Sequence, residues 1–182
     1  ALIFRRTGLK PLLVALPCLL LQWPSFLPDV DVRSREARFL DNQFFEQRWS
    51  SIGRWVASHA PEGTRLGTSP IGAIAWYSKT EVLDLLGLVH PHALGVDPDL
   101  SIQVKGHHRS ATEWMLEQHP EWIILGNGTR IQGRLEINPW ERDLFQDPAF
   151  QGGYERFEVD LGQGPPLDLF VRKGLPIPEG VR

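Results

Sequence analysis

The sequence predicts a small α/β domain of two or three layers, with a mainly parallel sheet and a C-terminal β-hairpin, preceded by one transmembrane helix. Three observations predict it. Strand-like and helix-like segments alternate between Thr64 and Leu125, the order that generates parallel sheets. Near the C-terminus, "YERFEVDLG" and "LDLFVRKG" flank "QGPP" and partly alternate apolar with charged residues, as hairpin strands do. An uncharged apolar run, Pro11 to Pro28, follows the basic residues Arg5, Arg6 and Lys10.

The run from Pro11 to Pro28 is 18 residues long, the least that spans a bilayer, and it contains four prolines. Basic residues before it place its start in the cytoplasm and everything after it outside, with Trp23 and Phe26 suited to the outer interface. The expected organisation is therefore residues 1–30 as a membrane helix, the last of a larger protein, with "ALIF" as the tail of a preceding one, and residues 31–182 as an extracytoplasmic domain. A secretory signal or uncleaved anchor and a buried core segment are the competing readings of the same run. Localisation in a membrane follows from the first reading.

From Arg33 to His59, apolar residues including Phe44, Phe45, Trp49, Ile52, Trp55 and Val56 recur at helical spacing, which predicts an amphipathic helix stopped by Pro61 and Gly63. "TRLGTS" reads as a strand, and Ser69-Pro70 as an N-cap with proline at the first helical position of "IGAIAWYS". "TEVLDLLGL" reads as the second strand, ending at Gly87. It carries an acid, Asp84, among Leu83, Leu85, Leu86 and Leu88, where a charge is costly unless hydrogen-bonded. Residues 89–108 are irregular and too long for an ordinary connector. "RSATEWMLEQHP" predicts a helix, with Ser110 and Glu113 in a capping-box pattern and Pro120 as its stop. "EWIILG" is an uninterrupted apolar strand of the buried, parallel kind.

A chain of 182 residues with 42% hydrophobic residues and a net charge of −3 can bury a real core. Its balance of charge, without basic clusters interleaved with aromatics, argues against nucleic-acid binding. The single cysteine, Cys18, excludes an internal disulfide framework and a multi-cysteine zinc site. No phosphate-loop, dinucleotide, "GxSxG" or "HExxH" pattern is present, so no cofactor is expected.

His90, His92, His107 and His108 cluster in the chain near Asp84, but "HPH" and "GHH" are not metal-ligand spacings, and no metal is expected. The start of "IGAIAWYS" offers free backbone N–H groups near Gly72. Asp97, Asp99, Glu136, Glu141 and Asp143 read as exposed loop acids with no acid–base pairing. Asn127-Gly128-Thr129 matches the glycosylation sequon. No catalytic residue is predicted.

Over residues 53–88, "GRWVASHAPEGTRLGTSPIGAIAWYSKTEVLDLLGL", the chain resembles the soluble C-terminal region of bacterial polytopic GT-C-type glycosyltransferases, relatives of the arabinofuranosyl- and mannosyltransferases. Gly53 and Trp55 match the "G-W-L" helix of that region, and Pro61 and Gly63 its turn. Gly72, Ile74, Trp76, Tyr77 and Ser78 match its "G-x-[IL]-x-[YW]-[YW]-S" turn, and Val82, Leu83, Asp84, Gly87 and Leu88 its "[VI]-[IL]-D-x-x-G-L" strand. Gly106-His107 before a helix, then Pro120, Trp122, Ile123 and Ile124, match two further elements, so that the resemblance covers roughly residues 45–126. The resemblance implies a parent enzyme that moves a sugar from a polyprenyl-phosphate donor to an envelope acceptor on the outer face of the membrane. The catalytic acid of such enzymes sits in an early loop that these residues do not include, so this region would be a structural or acceptor-binding cap. Trp76, Tyr77 and Trp140 would then stack on sugars, and Asp84 and His107 would bind hydroxyls. Two other readings stay open: a membrane-anchored module binding envelope glycans or a protein partner, and a metal-dependent hydrolase using His90, His92, His107 and Asp84.

Overall fold

The computed structural model describes residues 32–90, 92 and 95–181, with side chains from residue 43 onward. The expected membrane helix at residues 1–30 lies outside them. Among the described residues no helix is long and apolar enough to cross a membrane. The chain divides into two units, Ala1–Gln43 and Phe44–Arg182. Of the first, the described part is the opening of a helix, α1, that covers Val32–His59.

The second unit holds a five-stranded sheet in the order β2-β1-β3-β7-β6. Its strands are β1 (Arg65–Thr68), β2 (Glu81–Asp84), β3 (Trp122–Ile124), β6 (Tyr154–Val159) and β7 (Leu167–Arg172). A separate two-stranded ribbon pairs β4 (Arg130–Ile131) with β5 (Arg134–Leu135). β2, β1 and β3 are parallel, whereas β7 runs antiparallel to β3 and β6 antiparallel to β7. The sheet is thus mixed rather than mainly parallel. "EWIILG" has one parallel and one antiparallel neighbour, and the C-terminal hairpin extends the same sheet through β7. A continuous apolar run reports that a strand is buried on both faces, and that holds for either direction of its neighbours.

Helices cover both faces. α1 and α2 (Ile71–Ser78) bring Ile52, Val56 and Ile74 onto Leu66, Trp122, Ile124 and Leu169. On the opposite face lie α3 (Thr112–Glu117), α4 (Arg142–Gln146) and α5 (Pro148–Gly153), where Met115, Leu144 and Phe150 pack on Ile123 and Phe170. Alternate residues of β3 and β7 therefore serve two cores, which makes three layers. α1 crosses α2 at Gly53, where a Cβ would lie 2.8 Å from Tyr77 Cβ and 2.9 Å from the Ile74 carbonyl oxygen. Gly67 on β1 leaves room in the same way for the Met115 sulfur.

Two capping expectations are corrected. Ser69 does not cap α2: Pro70 holds the N-cap position without a side-chain bond, because the Ser69 hydroxyl is committed to Glu141. Ser110 and Glu113 form no capping box either. α3 starts one residue later, from Ala111, whose N–H donates to the Leu85 carbonyl, and Ser110 pairs with the Thr112 hydroxyl. The strand expected to reach Gly87 stops at Asp84, and Gly87 sits in the following turn at φ +67.

Candidate functional site

In a sheet whose first three strands run in the order 2-1-3, the connections leave β1 in opposite directions and open a crevice at the carboxyl ends of β1 and β3, where ligands of α/β sheets bind. Here a side chain of the protein fills it. Glu141, wholly buried, ends a short 3₁₀ turn (Pro139–Glu141) and reaches between the segments that follow the two strands. Its Oε1 accepts the Ser69 hydroxyl at 2.5 Å. Its Oε2 accepts the Gly126 N–H at 2.9 Å, the Asn138 N–H at 3.1 Å and the Asn138 side-chain amide at 3.0 Å. Gly126, at φ +63, permits the approach: a Cβ there would lie 2.6 Å from the Glu136 carbonyl oxygen. Burial raises the Glu141 pKa above the usual carboxylate range, against the opposing pull of these four donors. A carboxyl sealed this way closes the crevice and is out of reach of substrate. The expectation of an exposed loop acid is corrected at this residue. Asn138-Pro139-Trp140-Glu141 was the available signal, a capping box with proline at the first helical position.

Asp84, the last residue of β2, is 1% exposed. Its Oδ1 accepts the Leu86 N–H at 2.9 Å and its Oδ2 the Val89 N–H at 2.8 Å. The acid inside the apolar run thus shapes the turn that follows its own strand. The turn carries on into the long irregular stretch, where Leu88, Val89 and Leu100 are exposed.

The histidines of that stretch act as flat rings. His90 stacks on His92 at 4.3 Å between centroids and both lie against Trp114, while His107 packs on Trp140 at 4.3 Å. Among the described residues no three His, Cys, Asp or Glu side chains gather as a metal site. His107 Nδ1 contacts the Lys105 carbonyl at 3.0 Å.

The remaining predicted residues lie along α2, which runs from the carboxyl edge back to the amino edge of the sheet. Gly72, exposed in its first turn, faces open space. Trp76 is 79% exposed. Tyr77 is half-buried, with its ring under the Arg54 guanidinium at 4.2 Å. Ser78, Lys79, Thr80 and Glu81, immediately after these aromatics, join Glu62 and Thr64 in lining a cleft of about 310 Å³. Gly72, Asp84 and His107 therefore belong to the carboxyl edge, and Trp76 and Tyr77 to the half of α2 that leads to the amino edge. The five do not form one site.

Two charged features were not legible as such in the sequence. Asp168, buried on β7, binds Arg130 through Nε and Nη2 and also receives Arg156, while Glu158 adds a second carboxylate to Arg130. These hydrogen bonds to Asp168 and Glu158 raise the Arg130 pKa. Arg48 on α1 is 5% exposed and donates from Nε to the Gly128 carbonyl at 2.8 Å, next to the Trp49 indole N–H on the Asn127 carbonyl. These two bonds fasten α1 to the carboxyl end of β3.

No curated protein and no solved structure matches the chain. A family model matches residues 37–165, most of the described fold, and the chain belongs to that family, DUF8728, a domain of unknown function.

Proposed function

We propose that this region is the extracytoplasmic cap of a membrane glycosyltransferase that uses a polyprenyl-phosphate sugar donor, a domain that recognises the acceptor glycan and leaves the chemistry to another part of the enzyme. Residues 1–30 supply the membrane segment in this reading, and the cap lies outside the cytoplasm. The observation that carries it is Trp76. A large aromatic left 79% exposed on a packed helix is a platform on which a sugar ring can stack, and the same helix leads on to the polar residues of a 310 Å³ cleft that Trp76 itself does not line. The placement of Asp84 and Glu141 supports recognition over catalysis, because both carboxylates are spent on internal donors. The residues that carry the glycosyltransferase resemblance also pack on one another, Gly53 against Ile74 and Tyr77.

The test is a titration of the full chain, in neutral detergent, with oligosaccharides of the bacterial envelope, read by tryptophan fluorescence. Saturable quenching is expected in the wild type and its loss in Trp76→Ala. The variant should keep its melting temperature, since exposed positions change stability by only about 0.5 kcal/mol. Absence of binding across the panel, or equal binding by the variant, refutes the reading.

A further inference from the structure

We propose that Arg48 anchors a binding site for a phosphate-class oxyanion, in the cavity between α1 and the connection from β6 to β7. The inference is independent of the glycan reading and concerns the opposite, carboxyl edge of the sheet. The cavity holds about 130 Å³ and is lined by Phe44, Gln47, Arg48, Ser51, Gln163 and Gly164. That volume suits a tetrahedral oxyanion.

An arginine only 5% exposed ordinarily has a carboxylate against it, because a buried charge without a partner is costly. Arg48 has none in contact among the described residues. Nε is held by the Gly128 carbonyl, Nη1 reaches the Gln163 carbonyl only at 3.3 Å, and Nη2 is buried without a partner. Asp168 acts on Arg48 through space, but its oxygens already hold Arg130 and Arg156. Counting Arg48, Arg130 and Arg156 against Asp168 and Glu158, three cations face two anions. Among the described residues, Arg48 is the one of these three cations with no carboxylate in contact, and it is the one that lines the cavity.

The walls fit an oxyanion. The planar fork of arginine matches two phosphate oxygens, and Nη1 and Nη2 are the donors not firmly committed. Gln47 and Gln163 add side-chain amides to the lining, while the Ser51 hydroxyl already donates to the Gln47 carbonyl at 2.9 Å. Gly164, at φ +72, brings bare backbone close to the guanidinium: a Cβ there would stand 3.7 Å from Nη1. Phe44, 45% exposed, adds an apolar edge. The anion can be a free phosphate or the phosphate of a lipid headgroup, and the two share this chemistry.

The experiment uses the full chain in neutral detergent micelles, with thermal shift and phosphorus NMR as readouts. Inorganic phosphate is one arm and micelles doped with phosphatidic acid are the other, each against chloride at equal ionic strength. A melting temperature raised by either, with a broadened phosphorus resonance, is the expected result, and the stronger arm identifies the source. Arg48→Met should abolish the response. Gln47→Glu, on an exposed position of α1, sets a carboxylate at the rim and should weaken apparent affinity by at least about tenfold, the worth of one charge-assisted contact. It carries the test if Arg48→Met does not fold. No response in either arm, or one unchanged in Gln47→Glu, overturns the proposal.

Discussion

Removal of the Glu141 carboxylate tests whether the crevice at the head of the sheet is closed by hydrogen bonding. Glu141→Ala strands the Ser69 hydroxyl and the Gly126 N–H, both buried, and leaves a cavity between the segments after β1 and β3. Asn138 is half-buried, and its side-chain amide can turn to water. At about 1–3 kcal/mol per stranded donor, with some relief as Ser69 rotates, the cost is about 3 kcal/mol. For a unit of this size that lowers the melting temperature by about 10 °C. Glu141→Gln keeps an acceptor for Gly126 and Asn138 and offers its amide N–H to the Ser69 oxygen, so at neutral pH it should lie within about 1 kcal/mol of wild type.

The pH dependence separates the two forms further. Burial raises the folded pKa of Glu141 above its ordinary 4.5, so the folded state binds its proton at higher pH than the unfolded chain does. The wild type should therefore gain stability relative to Glu141→Gln as pH falls through that folded pKa toward 4.5, and gain no more below it. Urea denaturation at a series of pH values reads both effects. An alanine cost below about 1 kcal/mol, or a wild-type advantage that grows as pH rises through this window, would refute the reasoning.

Three further outcomes follow from the same contacts. Asp84→Ala should cost about 1–3 kcal/mol in denaturation, since it frees the Leu86 and Val89 N–H groups, and should leave glycan titrations unchanged. A fully stable variant would sink its structural role. Asp168→Ala should cost about 3–5 kcal/mol, because Arg130, with a side chain 8% exposed, loses the partner that justifies its burial. Arg156→Ala, whose side chain is 46% exposed, should cost at most about 1 kcal/mol, and a reversed order would show that the pairs are not weighted by burial. Gly53→Ala should destabilise by about 1–3 kcal/mol despite the better helix propensity of alanine, since the new methyl meets Tyr77 Cβ at 2.8 Å, and a neutral or raised melting temperature would contradict that close packing.

Local periodicity carried the sequence reading where one element alone decides the pattern. α1 appears within one residue of its expected start and at its expected end, because an aromatic stripe and a Pro-Gly stop are properties of that segment. The hairpin is also where alternation put it, from Tyr154–Val159 to Leu167–Arg172. What failed depended on partners distant in the chain. Ser69-Pro70 looks like a cap until Glu141, 72 residues on, takes the hydroxyl. Ser110 looks like a cap until Leu85 fixes Ala111. β3 looks parallel on both sides until β7 closes against it with the opposite direction.

Burial of charge escaped the sequence for the same reason. Asp84 drew attention because its chain neighbours are leucines, whereas Glu141 and Arg48 each sit between one tryptophan and one polar residue, a mixed pattern that does not report burial, which arises only when strands and helices from elsewhere close over them. The two outcomes differ in what covers the charge. Glu141 meets four donors and becomes part of the scaffold, a carboxylate set where an α/β sheet would hold a ligand. Arg48 is closed over by α1 and the β6–β7 connection with one firm acceptor, and among the described residues its Nη2 has no partner, so beside a cavity it is the buried charge that the proposed anion would complete.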